Sequence, residues 1–446
     1  MVSLSRRTIA GLITASGRQF LDWTADYRLL SRDRVDPQEL LSVVRRGVLT
    51  DLPPGNPFIV AMDDTTSRKK GKKIPGTGWR RDSMSPPFRA NLTWGRRFIQ
   101  LSAVVPPQRA DVPGRAVPVD LSHAPSAVKP PRAAPPQAWA AYRDAKRKRN
   151  LSTQGLERIK VLRMKMAEDG YKDLALWILV DGSYTNQTVL RGLPPGTTLI
   201  GRIRGDAKLH NLPEPTESER RGRKQLYGNP VTPEGIRKDP AIPWHTASVY
   251  AAGKTHEMRY KTISPILWRT AGPTIPLQLL AIAPLAYRPR GGSRLLYKRP
   301  AYLICTDPGL PPHEVLKAYV SRWDIEVNHR DEKQILGLDE AQVRTEASSR
   351  NAPILAVAAY AILLLAAVRA FGVNGIPCAL PLPKWRRNAP KFRASAADLT
   401  NELRSEMWGQ AIQFTNFSGF VNTYPSSTNP EKFLPDPSAT LFYAQP

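Results

Sequence analysis

With 446 residues, a net charge of +27 and two cysteines, the chain is no disulfide-stapled scaffold and holds no multi-thiolate zinc site. It has room for two or three domains and a substantial buried core. Its excess of Lys and Arg favours a polyanion, since neutralising phosphates releases condensed counterions; nucleic acid is the expected partner and a membrane is not. The cations cluster at Arg68, Lys69, Lys70, Lys72 and Lys73, at Arg143, Lys146, Arg147, Lys148 and Arg149, and at Lys384, Arg386, Arg387, Lys391 and Arg393. One such cluster is commonly a solvated face; several on one chain point to nucleic acid. Cys305 and Cys378 read as ordinary residues of a reducing compartment.

The start of the chain is basic, but Thr, Ser and Gly interrupt its apolar residues, so it makes a poor signal peptide. Apolar residues recur at helical spacing through residues 1–50, and Asp36-Pro37-Gln38-Glu39 is a helix start, with Asp at the N-cap and Pro at N1. This unit is a helical, candidate DNA-reading region or a cap on the next domain. Residues 56–64 (NPFIVAMDD) read as a buried strand ending in acids, and 96–105 as its antiparallel neighbour. Residues 106–136 are proline-rich and expected as an extended surface excursion. Residues 139–169 read as one long charged helix, 174–181 (LALWILVD) as a second buried strand ending in an acid, and 197–209 as a further strand. Residues 211–300 hold short strand-like runs, a β-rich insertion. The uncharged run 352–368 is short of a membrane span and is expected as a buried core helix. From 373 to 446 the chain is rich in Pro, Ser and Asn, with no assigned role.

Tyr319, Arg322, Glu326 and Lys333 carry the most specific spacing, Y-x2-R-x3-E-x6-K. On a helix the last three fall at about −60°, −20° and −40° from Tyr319, one narrow stripe, whereas Asp324, Asp331 and Glu332 point elsewhere. A carboxylate flanked by two cations and a phenol suits a metal ion and a phosphodiester. The same spacing makes Arg322 and Glu326 an i, i+4 pair that a solvated surface would also carry. With Asp64 and Asp181 at strand ends, Glu326 completes a set of three carboxylates able to hold two hard divalent cations for phosphodiester displacement. Asp63 and Asp64 alternate faces, so one of them, Asp63, is expected to point away from the site. His329-Arg330-Asp331 imitates a kinase catalytic loop, but Leu336 stands where the metal-binding Asn belongs, so His329 is given no role.

These features resemble the DDE transposases of bacterial insertion sequences, in the subgroup with a Y-R-E-K signature: D-T-T at Asp64, Thr65 and Thr66, D-G-x-Y at Asp181, Gly182 and Tyr184, a long β-rich insertion, and the stripe itself. The resemblance spans residues 56–371. It implies an α/β fold, an RNase H-like mixed sheet flanked by helices, with a β-rich insertion domain (211–300) dividing the catalytic core (51–210 and 301–372) and an N-terminal helical domain (1–50). It also implies cleavage of DNA at element ends and joining of the 3′ ends to target DNA, with Mg²⁺, or Mn²⁺ in its place, held by Asp64, Asp181 and Glu326. Arg322 and Lys333 would contact phosphates and Tyr319 would position them. The partners implied are double-stranded DNA and a second copy of the chain on paired ends, in the cytoplasm at the nucleoid. An insertion-domain aromatic often stacks on a flipped base; where the family carries Trp this chain aligns Tyr302, with Trp268 a second candidate. Lys72 and Lys73 are expected at the DNA as well. Two other readings share the charge: a catalytically silent DNA-binding derivative, and a nuclease that cuts without joining.

Overall fold

The computed structural model describes residues 3–413 apart from 5, 33, 83–84, 87–90, 108–111, 215–224, 252–253, 288–293, 295 and 377–392. Three helices lead: α1 (Ile9–Ala15), α2 (Thr24–Ser31) and α3 (Pro37–Thr50). The Asp36 carboxylate accepts the Gln38 N–H at 2.9 Å and Pro37 occupies N1, so α3 starts where its capping residues require. Its apolar face (Leu41, Val44, Val48, Leu49) is part of the main core.

The sheet then builds outward from β1 (Phe58–Arg68). β2 (Gly78–Arg81), β3 (Leu92–Val105) and β4 (Arg115–His123) come next. After them come α4 (Pro136–Lys148), α5 (Leu151–Glu168), β5 (Leu176–Val180), α6 (Gln187–Gly192) and β6 (Thr197–Ile203). In space the order is β3-β1-β5-β6, with β2 and β4 both along the other edge of β3; β3 is antiparallel to all three of its partners, and β1, β5 and β6 are parallel to one another. This is the mixed, helix-flanked sheet of the RNase H-like class. β1 and β5 carry near-continuous apolar runs because helices cover both faces of a parallel centre.

Two expectations fail here. The excursion expected at 106–136 contains β4, buried from Arg115 to Leu121. Pro118 hides it from a strand reading, but the ladder shifts register between Leu101 and Ser102 where Pro118 sits, so the missing N–H is accommodated at an irregularity. The single helix expected at 139–169 is two, since Asn150 leaves helical geometry and caps α5 by accepting the Ser152 N–H at 2.8 Å.

The β-rich stretch comprises β7 (Leu209–His210), β8 (Pro230–Val231), α7 (Pro233–Lys238), β9 (His245–Ala251), β10 (Lys254–Trp268), β11 (Gly272–Ile282), β12 (Ala286–Tyr287), β13 (Leu296–Tyr297) and β14 (Ala301–Cys305). Apart from the β12–β13 pair, these strands continue the same sheet beyond β6, in the order β14-β11-β10-β7-β8, with β9 along β10. Cys305 is buried in β14, and burial pushes its thiol up to about 12. Cys378 lies outside the described residues, as do Lys384, Arg386, Arg387 and Lys391.

Four helices close the fold: α8 (Pro312–Ser321), α9 (Asp324–Gln334), α10 (Glu346–Phe371) and α11 (Ala396–Gln413). α10 contains the uncharged run and is long and apolar enough, by length and composition, to cross a membrane. Its Val357, Ala358, Ala361 and Leu364 face is packed into the main core, as expected of a core helix. Pro353 lies inside α10 and cannot donate to the Ser349 carbonyl four residues back; the Arg96 guanidinium of β3 donates to that carbonyl instead.

Candidate active site

The parallel pairing of β1 and β5 sets the site. Ala61 pairs with Leu179, so two residues on Asp63 comes abreast of Asp181, just past the end of β5. The pleat sends odd and even residues of β1 to opposite faces: Ala61 packs in the core that contains Ile325 of α9, while Val60 and Met62 pack in the core that contains α5. Asp63 therefore faces α9 and Asp64 the α5 side. The expectation that Asp63 points away from the acids is overturned, because the face covered by α9 is its own.

On that face Arg322 joins the acids. Its Nη2 donates to Glu326 Oε1 at 2.8 Å and its Nη1 lies 3.7 Å from Asp63 Oδ2. The guanidinium stands over the Tyr319 ring at 5.8 Å, and its buried Nε has no hydrogen-bond partner. Tyr319 to Lys333 is not one uninterrupted helix: α8 ends at Ser321 and α9 begins at Asp324. Arg322 and Trp323 remain right-handed, but the N–H groups of Arg322, Trp323, Ile325 and Glu326 bond three residues back, at 3.0–3.3 Å. This 3₁₀-like joint keeps Tyr319, Arg322 and Glu326 together despite the break. Lys333 lies in the last turn of α9. Between the cations sits His329, buried; burial and the charges of Lys333 and Arg322 push it down to about 3, so the ring is neutral. The positions 322, 326, 329 and 333 share helical spacing, a signal that places His329 on the stripe where its likeness to a kinase loop conceals it.

Asp64 is bonded from the other side. The hydroxyl of fully buried Tyr184 donates to Asp64 Oδ1 at 3.3 Å, and Asp63 Oδ1 accepts the Asp64 N–H at 2.8 Å. Asp181 closes a tight turn, accepting the Ser183 N–H at 2.8 Å and the Ser183 hydroxyl at 3.1 Å. Burial, and then the like charge of Asp181, push Asp63 up to about 7. Asp64 is raised by burial, against the opposing charge of Arg97. Crowded, desolvated carboxylates that repel one another are hard oxygen donors whose charge a divalent cation would relieve, so the donor chemistry fits such an ion. Among the described residues, however, no three acids converge to ligating distance, and Glu326 is turned to Arg322.

Glu332 is a different kind of acid. It is fully buried in α9, its Oε1 accepts from Gln100 Nε2 at 2.8 Å, and burial pushes it up to about 8.

Residues 1–271, more than half the chain, match the family model described as DDE superfamily endonuclease. The chain belongs to that family. The match includes Asp64 and Asp181 and ends before α9, and no curated protein matches the chain. DDE endonucleases work with divalent metal ions, which agrees with the carboxylates crowded in the middle of β1 and just past the end of β5.

The remaining candidates are not gathered at this centre. Tyr302 lies mid-sheet in β14, between Ala281 and Ile203, buried, with its hydroxyl donating to Glu234. A base has no access to a ring covered in this way, so the stacking role expected for Tyr302 is withdrawn. Trp268 ends β10 opposite Leu209 and packs, partly buried, against the main core. Lys72 and Lys73 are exposed in the loop between β1 and β2.

Proposed function

We propose that the chain is the transposase of a bacterial insertion sequence, in the group with the Y-R-E-K signature. It cleaves DNA at the element ends and joins the 3′ ends to target DNA. The ligands in this reading are Asp64, Asp181 and Glu326, joined by Asp63. Mg²⁺, which Mn²⁺ can replace, supplies charge stabilisation for the attacking and leaving oxygens of the phosphodiester. The chain's own groups hold the rest. Arg322, from the joint between α8 and α9, and Lys333, from the last turn of α9, bind the scissile phosphate, and the Tyr319 ring keeps Arg322 in place. Tyr184 fixes the Asp64 carboxylate. Double-stranded DNA is the substrate, a homodimer on paired ends the working unit, and the bacterial cytoplasm the setting.

The observation that carries this reading is the Arg322 fork, which spans Glu326 and Asp63, the latter abreast of Asp181. Its guanidinium holds the carboxylates in register and is the group that a phosphate would engage once a metal neutralised them. The test is a gel assay with DNA carrying the sequences that flank the gene, Mg²⁺ and a target plasmid. Cleaved ends joined to plasmid are expected. Cutting without joining would support the nuclease reading, and binding without cutting a silent derivative.

A further inference from the structure

Two basic clusters about seventy residues apart in sequence are each anchored near the end of β4, at His123 and Pro125. The first is the loop between β1 and β2, which carries exposed Lys70, Lys72 and Lys73. Trp94 Nε1 ties it down by donating to the Gly71 carbonyl at 3.2 Å. At Gly76, φ is +74° and the Cα lies so close to the His123 ring that any side chain would collide, so the loop is pressed on the end of β4.

The second cluster is the elbow between α4 and α5, where Arg147, Lys148 and Arg149 are exposed. Gln154 Nε2 donates to the Arg149 carbonyl at 2.8 Å, which holds the elbow on the first turn of α5. That turn is at the catalytic end of the sheet. Asn186 Nδ2, just past Asp181, donates to Ser152 Oγ at 2.8 Å, and Gly155 packs on the Tyr184 ring whose hydroxyl reaches Asp64. Gln154 Nε2 also reaches the Pro125 carbonyl at 3.5 Å, two residues beyond His123, on which the Gly76 loop rests. α4 has no buried residue, so burying a core face does not account for its presence. Asp144, paired to Arg147 at 3.5 Å and Lys148 at 3.1 Å, offsets little of this charge.

We propose that the elbow and the Lys70–Lys73 loop form one rim on the Asp64 side of the site, which grips the phosphate backbone of the duplex next to the scissile bond. This rests on the reading of the chain as a DNA-cleaving enzyme and assigns the surface by which it holds its substrate. Six exposed cations on two anchored segments match a polyanion of regular charge, and backbone contacts of this kind hold DNA without reading its sequence.

The test uses the full chain, a 30-base-pair DNA duplex without divalent ion, and anisotropy titrations across a salt series. Three double variants of equal charge change are compared: Lys148→Ala/Arg149→Ala, Lys72→Ala/Lys73→Ala, and Lys160→Ala/Lys172→Ala as the control, two exposed residues further along and beyond α5. All six side chains are exposed, and circular dichroism checks the fold. Each rim pair should flatten the slope of log K against log salt by about one to two and weaken binding at moderate salt on the order of ten-fold. The control pair should leave both near wild type. Rim and control pairs that behave alike, beside a wild-type chain that binds steeply with salt, would overturn the rim and leave the enzyme reading standing. A wild-type chain that fails to bind DNA, or prefers an RNA duplex of equal charge, would overturn both.

Discussion

Glu332→Gln separates the structural acid of α9 from the functional one. In the folded protein Glu332 is fully buried beside Gln100, with its second oxygen unpartnered, and burial raises it from 4.5 to about 8. A carboxyl raised on folding adds most to stability below its unfolded value and loses that contribution as pH climbs through its folded value. Between about pH 4.5 and 8 the unfolded chain has released this proton while the folded chain keeps it. Each pH unit in that window therefore costs about 1.4 kcal/mol, or on the order of 3 kcal/mol by pH 7. Glutamine has the shape of the protonated acid and no proton to lose. Glu332→Gln should therefore raise stability at pH 7 by about 1–3 kcal/mol, leave it little changed at pH 4.5, and retain cleavage. Urea denaturation of both proteins at pH 4.5, 6 and 7.5 measures the gap. A gap that does not widen with pH, or a variant less stable at pH 7.5, would refute a neutral buried Glu332.

Gly155→Ala should disturb the Asp64 side of the site: an added Cβ would lie 2.6 Å from the Tyr184 ring, close enough to force it aside. Overpacking of this kind costs about 1–3 kcal/mol, against about 1 kcal/mol of helix propensity gained, so thermal melting should fall slightly while cleavage falls much more than DNA binding. Unchanged cleavage would mean that Tyr184 does not position Asp64. Tyr302→Phe removes one hydrogen bond to Glu234, which keeps Arg237 at 2.6 and 2.7 Å, so a loss of about 1 kcal/mol or less is expected with first- and second-strand cutting both intact. Selective loss of second-strand cutting in a time course would return a DNA role to Tyr302.

The parts of the fold that a single segment encodes were legible in the sequence. The apolar runs before Asp64 and Asp181 became β1 and β5, although β1 runs on to Arg68 where the sequence pattern ends it at the acids; Asp36-Pro37 capped α3, and the uncharged run became the interior of α10. What depended on distant partners was not. β4 was hidden by Pro118, tolerated only because its ladder with β3 is irregular there. The pleat shows that Asp63 and Asp64 face apart, but only the side on which α9 packs decides that Asp63 meets Arg322. The joint at Arg322–Trp323 leaves both residues right-handed, so no Gly or Pro marks it. Tyr302 matched an insertion aromatic by position, yet β14 lies between β6 and β11, deep in the sheet.

The central claim is that Asp63 and Asp64 of β1 and Asp181 just past β5, with Glu326, form the divalent-metal centre that cuts DNA. The direct measurement is cleavage of end-bearing DNA by Asp63→Asn, Asp64→Asn, Asp181→Asn, Glu326→Gln and Glu332→Gln, in Mg²⁺ and in Mn²⁺, with binding followed in parallel. The first four should lose cleavage in either metal and still bind DNA as tightly as wild type or more so, since each removes a negative charge facing phosphate. Glu332→Gln should cut. Loss of cleavage in Glu332→Gln together with full activity in Glu326→Gln would contradict the account at its centre.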